Sequence, residues 1–362
     1  MTIALYLLCF VGFLVVLTTI LAEVPLPHGV FRVFDFPRLQ NAAIGLAVLA
    51  ALLVFYPFEG LAAFTIVALV IAVAVQAYHI ARFTPFWHRR SRAFDGDPGN
   101  APTLSVLASN VKLSNGARAP LKARIRETDP DLVVLMEIDE GWLDDLADAL
   151  DAYPHRVEEP ADTGYGLALF SRVPLDDAQV KFLLSEHVPS FDVRLRLGGE
   201  PVRLVVVHPE PPIASSDTKG RDGELAAVGL MVRDHDGPLI VTGDLNDVAW
   251  SRTTRRFLRV SRLLDPREGR GFYNSFDARY PVLRWPLDHI FHSEHFHLVS
   301  MSRLASIGSD HFPMHFELAL MDDERLRRPR DRMTREDRET SRQLVRDELR
   351  EGDEPVGMDW EK

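Results

Sequence analysis

The stretch P-L-I-V-T-G-D-L-N, residues 238–246, is the part of the sequence that best indicates the fold. An apolar run ends at Gly243, and Asp244 and Asn246 follow it. In extended backbone, residues two apart point to the same side, so a carboxylate and an amide would project together from a strand end. A carboxylate suits a hard cation or an attacking water, and an amide can hold a phosphate oxygen. A plain strand-to-turn exit is the alternative, because Gly, Asp and Asn are common turn residues.

Composition limits the possible partners. The chain has 362 residues and a net charge of −11. This charge argues against a dedicated nucleic-acid packaging protein, whose affinity rests on many Lys and Arg contacts to phosphate. It leaves open an enzyme that touches nucleic acid briefly through a metal ion. Cys9 is the single cysteine, which excludes an intramolecular disulfide and a cysteine-based zinc site.

Residues 1–90 differ in kind from the rest and predict a membrane anchor. Residues 3–21 carry no charge and are long enough to cross a bilayer as a helix of about 20 residues. A cleaved signal peptide is the alternative there, disfavoured because the basic start is missing. Two further spans are expected at residues 42–55 and 61–80. The sequence therefore predicts three transmembrane helices, with the lipid bilayer contacted through residues 3–80.

Arginines near the ends of these spans predict the orientation, since basic residues favour the cytoplasmic side. The loop after the first span carries two arginines, and the stretch after the third carries four. They are Arg32, Arg38, Arg82, Arg89, Arg90 and Arg92. This distribution predicts an N-terminus outside the cell and a following domain in the cytoplasm.

The rest of the chain divides into a linker, a folded domain and a tail. Residues 91–103 read as a linker rich in Gly, Pro and Asp, and residues 104–320 interleave strands and helices. Several strands are short or alternate apolar with polar residues, which favours mixed sheets over a parallel doubly wound sheet. Residues 321–362 are a dense mix of Arg, Asp and Glu. We expect a charged tail there, disordered or weakly helical.

Polar residues that can bind a metal ion, a water molecule or a phosphate occur where the predicted strands end. They are Asn110, Glu137, His208, Asp244, Asn246, Asp288, Asp310 and His311. Each has a plain alternative as a turn residue, a helix start or a core histidine. Together they form an ordered series of acidic, amide and imidazole groups, which is what a divalent-metal phosphoester site requires.

The motifs around these residues resemble a known superfamily. In chain order they read S-N-V, L-V-V-L-M-E-I, G-L-A-L-F-S-R, V-V-H-P, T-G-D-L-N, P-L-D-H-I-F and G-S-D-H-F-P. The series resembles the endonuclease/exonuclease/phosphatase superfamily, which includes deoxyribonuclease-I-like enzymes, apurinic endonucleases, inositol-polyphosphate 5-phosphatases and neutral sphingomyelinases. The resemblance covers residues 104–320 and implies an α/β (α+β) fold, a four-layer αββα sandwich. With three N-terminal spans, the chain is similar to bacterial membrane-anchored members, which implies a bacterial inner or plasma membrane.

The resemblance implies one site in which some residues bind the metal ion and others position the attacking water. Glu137 would be the main ligand of Mg²⁺, for which Mn²⁺ could substitute. Asp310 would complete the set of carboxylates on the metal side. Asn110 would position the site through hydrogen bonds. Asp244 would orient or deprotonate the attacking water, and Asn246 would hold that water or a phosphate oxygen.

The two histidines would act on the phosphate. His208 would donate to the phosphate or act as an acid. His311 would stabilise the phosphoryl transition state, and Asp288 would hold its imidazole in the useful tautomer. The implied reaction is nuclease-like hydrolysis of a phosphodiester by direct attack of water, without a serine or cysteine nucleophile.

The substrate stays open among nucleic acid, phospholipid and small phosphate esters. A phospholipase C or sphingomyelinase-like enzyme and a small-molecule phosphomonoesterase are alternatives, and a non-catalytic membrane scaffold is the alternative of another class. Arg252, Arg255, Arg256 and Arg259 form a predicted basic helix face that could steer an anionic substrate. The sequence shows no marked apolar hairpin for entering a lipid headgroup layer, and no protein partner is evident.

One histidine cluster invites a zinc interpretation. His292, His295 and His297 are closely spaced. They lack an obvious carboxylate partner, so we expect a surface or strand-edge role instead.

Overall fold

The computed structural model describes residues 2–97, 99, 101–321, 333–352 and 354–358. Three long helices come first in the chain, and two β-sheets that face each other follow, with helices on their outer sides. A last helix lies in the charged tail.

The N-terminal helices are α1 (Thr2–Glu23), α3 (Arg38–Phe55) and α4 (Gly60–Ile80). Each is long and apolar enough to cross a membrane. Their inner faces pack around Leu52 and Leu69, which are fully buried. Their outer faces expose leucine, isoleucine, valine and phenylalanine side chains, a surface suited to an apolar environment.

Short elements join these helices to one another and to the domain. The helix α2 (Gly29–Arg32) and a 3-10 turn at Val33–Asp35 lie between α1 and α3. A second 3-10 turn, Ala81–Phe83, continues α4. We refer to residues 24–37 as the connecting segment.

Two mixed sheets form the centre of the domain. The first has six strands, in the order β10 (Phe296–Arg303), β11 (Met314–Leu320), β1 (Thr103–Asn110), β2 (Leu132–Met136), β4 (Leu167–Ser171) and β3 (His155–Glu159). The second has five, in the order β5 (Leu175–Phe182), β6 (Pro189–Leu197), β7 (Glu200–Val206), β8 (Leu239–Asp244) and β9 (Asp288–His292). The pairs β1–β2 and β7–β8 are parallel, and the other neighbouring strands are antiparallel.

Side-chain alternation along β2 shows how the layers are held together. Leu132, Val134 and Met136 face the opposite sheet, whereas Val133 and Leu135 face the helices. Because both faces of the strand are covered, it is apolar throughout.

Four helices cover the outer faces. The first sheet carries α5 (Arg118–Thr128) and α6 (Glu140–Leu150), and the second carries α7 (Lys219–Val232) and α8 (Arg252–Ser261). The layers are therefore helix, sheet, sheet and helix, which confirms the predicted αββα sandwich. The strands β3, β5 and β10 are sheet edges with several charged or polar residues. Such strands lack the continuous apolar run that predicts an inner strand.

The charged tail contains a helix, α9 (Arg335–Glu351), that packs against α7. Thr334 and Asp337 form a capping box at its start, and Gly352 adopts a left-handed conformation at its end. Arg259 of α8 donates to both carboxylate oxygens of Asp337, at 2.9 and 2.7 Å. Residues 322–332 of the predicted tail lie outside the described residues.

Candidate active site

The topology brings the predicted residues to one edge of the two sheets. The parallel strands β1 and β2 end side by side, so Asn110 and Glu137 leave the first sheet at neighbouring positions. Asp244 ends β8 and pairs directly with Asp288, the first residue of antiparallel β9. His311 precedes β11, which runs antiparallel to β1. Ends of some strands and starts of others therefore meet at the same place.

The local backbone turns these side chains out of the sheets. Glu137 and Asn246 have φ values of 59° and 50°, in the left-handed region that non-glycine residues rarely adopt. Gly243 has a φ of 144°, and a Cβ there would lie 1.8 Å from the Val207 carbonyl oxygen. Only glycine therefore lets β8 lie so close to the end of β7.

Asn110 joins the two carboxylates of the site. Its Nδ2 donates to Glu137 Oε1 at 2.6 Å and to Asp244 Oδ2 at 3.1 Å. Its Oδ1 accepts from the backbone N–H of Lys112 at 3.0 Å, which orients the amide. One amide thus holds a carboxylate from each sheet.

His311 lies between two carboxylates. Its Nδ1 is 2.8 Å from Asp288 Oδ2, and its Nε2 is 3.4 Å from Asp244 Oδ2. Burial alone would lower the pKa of His311, but the carboxylates of Asp288 and Asp244 outweigh burial and raise that pKa to about 10. The ring of Phe276 packs against the imidazole, with 4.9 Å between ring centroids. His311 is therefore an imidazolium with an N–H donor at each ring nitrogen, and the two carboxylates fix its position.

His208 and Asn246 form the neighbouring part of the site. His208 Nε2 lies 3.5 Å from Asn246 Nδ2 and 3.8 Å from Asp244 Oδ2. Asn246 Nδ2 also donates to the Pro209 carbonyl oxygen at 2.9 Å. Burial lowers the pKa of His208, so this imidazole is neutral at pH 7. The two histidines of the site thus carry different charges.

Asp310 lies beside a lysine that the sequence reasoning missed. Lys112 Nζ is 2.8 Å from Asp310 Oδ2, and Arg279 Nη2 is 3.7 Å from the same oxygen. Lys112 comes directly after the S-N-V motif, which is the signal that could have identified it.

The predicted residues surround a cavity of about 270 Å³. The residues of the predicted series that line it are Glu137, His208, Asn246, Asp310 and His311. The other lining residues are Lys112, Gly164, Tyr165, Pro211, Phe276, Val356 and Gly357. Asn110, Asp244 and Asp288 are buried and do not belong to the lining.

The tail of the chain completes the cavity wall. Tyr165 donates its hydroxyl hydrogen to the Val356 carbonyl oxygen. The Val356 N–H donates to Glu210 Oε2 at 3.3 Å. No sequence pattern indicates this contact, because it joins segments that are far apart along the chain.

Two sets of residues in this site could hold a metal ion. Asp244, Asp288 and His311 offer ligand atoms that lie within 4.8 Å of one another. In this set, however, the two ring nitrogens of His311 already contact Asp288 and Asp244. Glu137 and Asp310 instead face the cavity, and burial raises the pKa of Glu137 to about 7 although the Asn110 amide opposes this. A buried carboxylate hydrogen-bonded by a neutral amide fits a cation better, so we favour the second set.

The basic face of α8 does not face the cavity. Arg252 Nη2 donates to the Glu23 carbonyl oxygen at the end of α1, at 3.2 Å. Arg259 is paired with Asp337 of α9. Arg255 and Arg256 are partly buried and absent from the cavity lining. None of these four arginines lines the cavity, and two of them, Arg252 and Arg259, contact α1 and α9 instead.

The three clustered histidines are buried. His292 Nε2 lies 2.8 Å from Ser91 Oγ, and His295 Nδ1 lies 3.0 Å from Ser293 Oγ. His297 is also buried, so the expected surface role is wrong for all three. The expected strand-edge role fits His292 and His297, because β9 and β10 are edge strands. Within the part of the chain that the structure describes, these histidines do not form a three-ligand metal cluster.

A mixed αββα sandwich with carboxylates, amides and imidazoles at one edge is an architecture of phosphoester hydrolases. The chain belongs to the Endonuclease/Exonuclease/phosphatase family, whose model matches residues 107–311, more than half of the sequence. None of the curated proteins matches the chain by sequence.

Solved structures show the same fold. The structure of D. rerio TDP2 complexed with single strand DNA product has a TM-score of 0.51 at 17% identity, covering 60% of this chain and 98% of that chain. An endonuclease/exonuclease/phosphatase family protein from Bacteroides thetaiotaomicron has a TM-score of 0.50 at 21% identity, with coverages of 63% and 98%. The human Nocturnin catalytic domain with bound sulfate anion has a TM-score of 0.50 at 18% identity, with coverages of 61% and 94%. At these identities the similarity concerns the fold.

Proposed function

We propose that this chain is a membrane-anchored, divalent-metal-dependent hydrolase that cleaves a phosphodiester by direct attack of water. The observation that carries the proposal is the placement of Glu137, Asp310, Asn246, His208 and His311 around one cavity. Carboxylates that can hold a cation there face imidazoles and an amide that can hold a phosphate. Such a site neutralises the substrate charge and aligns water with the leaving group.

Glu137 and Asp310 would hold the metal ion, with Mg²⁺ expected and Mn²⁺ as a substitute. Both offer carboxylate oxygens, the ligands that hard cations prefer. Asn110 would keep Glu137 in place through the 2.6 Å hydrogen bond. When bound, the metal ion would neutralise phosphoester charge and favour attack at phosphorus.

His311 would donate to a phosphoryl oxygen through Nε2. Its contact with Asp288, at 2.8 Å, is shorter than its contact with Asp244, at 3.4 Å. The longer contact is the one that a phosphoryl oxygen would replace. Asp288 would keep the imidazolium oriented while the charge on phosphate increases.

Asp244 would then accept a proton from the attacking water. Asp244 is buried and accepts from the backbone N–H of Asn246 at 2.9 Å, and Asn246 lines the cavity and would hold the water or a phosphate oxygen. His208 lies beside Asn246. Its lowered pKa favours the role of a neutral hydrogen-bond donor to phosphate over the role of an acid.

The helices α1, α3 and α4 would anchor the enzyme in the membrane. Arg38 at the start of α3 donates to Glu23 Oε1 at the end of α1, at 3.0 Å, and to Gln76 Oε1 near the end of α4, at 3.3 Å. These contacts support one bundle whose domain-side ends lie together. With the arginine distribution, we assign the catalytic domain to the cytoplasmic face of a bacterial inner or plasma membrane.

We divide the chain accordingly into an anchor (1–90), a linker (91–103), a catalytic domain (104–320) and a charged tail (321–362). A fusion reporter at the C-terminus tests the sidedness of this arrangement. A reporter active only in the cytoplasm is expected, and an exported signal would refute the assignment.

The enzyme proposal is tested with the full chain in detergent micelles. With Mg²⁺ it should hydrolyse bis(p-nitrophenyl) phosphate, and a chelator should stop the reaction until Mg²⁺ is restored. Glu137→Ala should abolish turnover, and Glu200→Ala, an exposed change outside the cavity lining, should not. Full turnover in Glu137→Ala would overturn the role assigned to Glu137. No turnover on any phosphoester would overturn the hydrolase proposal and favour the scaffold.

A further inference from the structure

An apolar groove of about 440 Å³ opens beside the catalytic cavity. One wall consists of Val33, Phe36 and Pro37 from the connecting segment, and another consists of Trp285 and Leu287. Phe36 and Trp285 meet edge to face, with 5.7 Å between ring centroids. The groove therefore lies between the membrane-anchor part of the chain and the catalytic domain.

The groove and the catalytic cavity are adjacent and share part of their lining. Pro211, Asn246 and Phe276 line both of them. Asn246 stands at the junction, and Phe276 packs against His311. A molecule whose phosphate reaches His311 would therefore extend its neighbouring part directly into the groove.

The groove lies at the end of the helix bundle. Pro37 immediately precedes α3, which is long and apolar enough to cross a membrane. Contacts hold the connecting segment on the catalytic domain: the Gly29 N–H donates to the Ser216 carbonyl oxygen at 2.8 Å, and Arg32 pairs with Asp222 at 3.2 Å. The groove is thereby kept at the level where α3 would enter the hydrocarbon region.

A hairpin beside the groove exposes apolar side chains. Residues 276–285 are closed by a backbone pair at their base. Between its ends, Tyr280, Val282 and Leu283 are 50%, 70% and 47% exposed. Gln40 of α3 donates through Nε2 to the Val282 carbonyl oxygen at 2.9 Å, so the hairpin lies against a predicted membrane span. The sequence does not reveal this hairpin, because proline and arginines separate its apolar residues.

We propose that the substrate is a lipid phosphoester of the bilayer, whose hydrocarbon chain occupies the groove while its phosphate reaches Asn246 and His311. This inference rests on the proposed hydrolase function. Water would add its oxygen to phosphorus, the bond from phosphorus to the leaving oxygen would break, and that oxygen would take up a proton. The hairpin would rest in the headgroup region and keep the groove open to the lipid layer.

The lining of the groove favours a lipid over a nucleic acid. Its residues are mostly aliphatic, aromatic or proline, whereas sequence-specific contacts with a nucleobase need donors and acceptors for its edges. The arginine face of α8 is engaged with α1 and α9 and does not form a basic track leading to the cavity.

A matched pair of chromogenic diesters tests this inference with the full chain in mixed micelles. Dodecyl p-nitrophenyl phosphate and methyl p-nitrophenyl phosphate have the same reactive group but different hydrocarbon lengths. Each buried methylene is worth roughly fourfold in binding, so the dodecyl ester should have a kcat/KM at least about 100-fold higher. Val33→Trp, which fills the groove, should lower the dodecyl-to-methyl ratio by about tenfold or more.

A control variant, a hairpin variant and a DNA substrate separate the role of the groove from that of the hairpin, and the lipid assignment from the hydrolase proposal. Phe182→Ser, an exposed aromatic change on the edge strand β5, should leave the dodecyl-to-methyl ratio unchanged. Leu283→Ser in the hairpin should lower turnover of the dodecyl ester in nanodiscs more than in detergent micelles. Equal rates for the two esters, or faster cleavage of a single-stranded DNA oligonucleotide, would overturn the lipid assignment alone. No cleavage of either ester or of DNA would overturn the hydrolase proposal itself.

Discussion

Asp288 contacts the His311 imidazole of the cavity lining, with 2.8 Å between Asp288 Oδ2 and His311 Nδ1. Both side chains are buried. The pKa of His311 is raised to about 10, because the nearby carboxylates outweigh the opposing effect of burial. The stability that comes from the raised pKa of His311 is therefore fully present below pH 6.5, while Asp288 stays ionised, and it is lost as the pH rises through about 10.

Asp288→Asn should lower kcat by about 10²–10⁴-fold, because the imidazole loses the partner that fixes its charge and orientation. The alkaline limb of the pH–rate profile should move down by about one to three units. Asp148→Asn, on an exposed part of α6, is the matched control. A lower kcat with an unmoved alkaline limb would contradict the assigned role.

Glu137→Gln should weaken metal binding by about 100-fold or more, measured by calorimetric titration of the full chain with Mn²⁺. Asp310→Asn should act in the same direction. His311→Gln should leave metal affinity nearly unchanged, because both ring nitrogens of His311 are engaged by Asp288 and Asp244. If His311→Gln weakens binding as much as Glu137→Gln, the metal lies instead in the cluster of Asp244, Asp288 and His311.

Glu224→Gln should stabilise the protein at pH 8 but not at pH 5. Glu224 is buried on α7 and accepts from Ser190 Oγ at 2.8 Å, and burial raises its pKa to about 8. Because the pKa of Glu224 is raised in the folded protein, its carboxyl does not lower the free energy of unfolding below pH 4.5. It lowers that free energy increasingly as the pH rises toward 8. Between these two pH values, each pH unit lowers the free energy of unfolding by at most about 1.4 kcal/mol. Melting temperatures from pH 5 to pH 8 measure this, and a Tm difference independent of pH would contradict it.

Arg221→Met should lower the free energy of unfolding by about 3–5 kcal/mol. The buried guanidinium pairs with Asp222 at 2.9 Å and Asp247 at 3.6 Å, and donates to the Asn246 carbonyl oxygen at 3.0 Å. Its loss leaves buried carboxylates without this partner. Arg156→Met, on the edge strand β3, should cost at most about 0.5 kcal/mol in the same denaturation experiment. Similar costs for the two changes would show that the buried network contributes little.

The sandwich and the strand-end residues were predictable from sequence for a physical reason. An inner strand covered on both faces reads as an apolar run, and the first polar residue after it marks the sheet edge. Leu132 to Met136 followed by Glu137, and Leu239 to Val241 followed by Asp244, are examples. The distances among those side chains needed the structure, because they depend on which strands pair.

Features that depend on tertiary packing were not predictable. A run of arginines on α8 reads the same in sequence whether it faces solvent or a neighbouring helix, as Arg259 and Asp337 show. The histidines near β9 read as surface residues although packing buries them. The contact of Tyr165 with Val356 leaves no local pattern, because neither residue belongs to a motif.

The wall that Val356 and Gly357 add to the catalytic cavity has a consequence for the order of events during synthesis. A chain emerges from the ribosome with its N-terminus first, so α1, α3 and α4 appear before any residue of the site. The predicted site residues follow between Asn110 and His311, and this wall emerges after all of them. A nascent molecule therefore has its apolar helices in place well before its reaction chamber is finished.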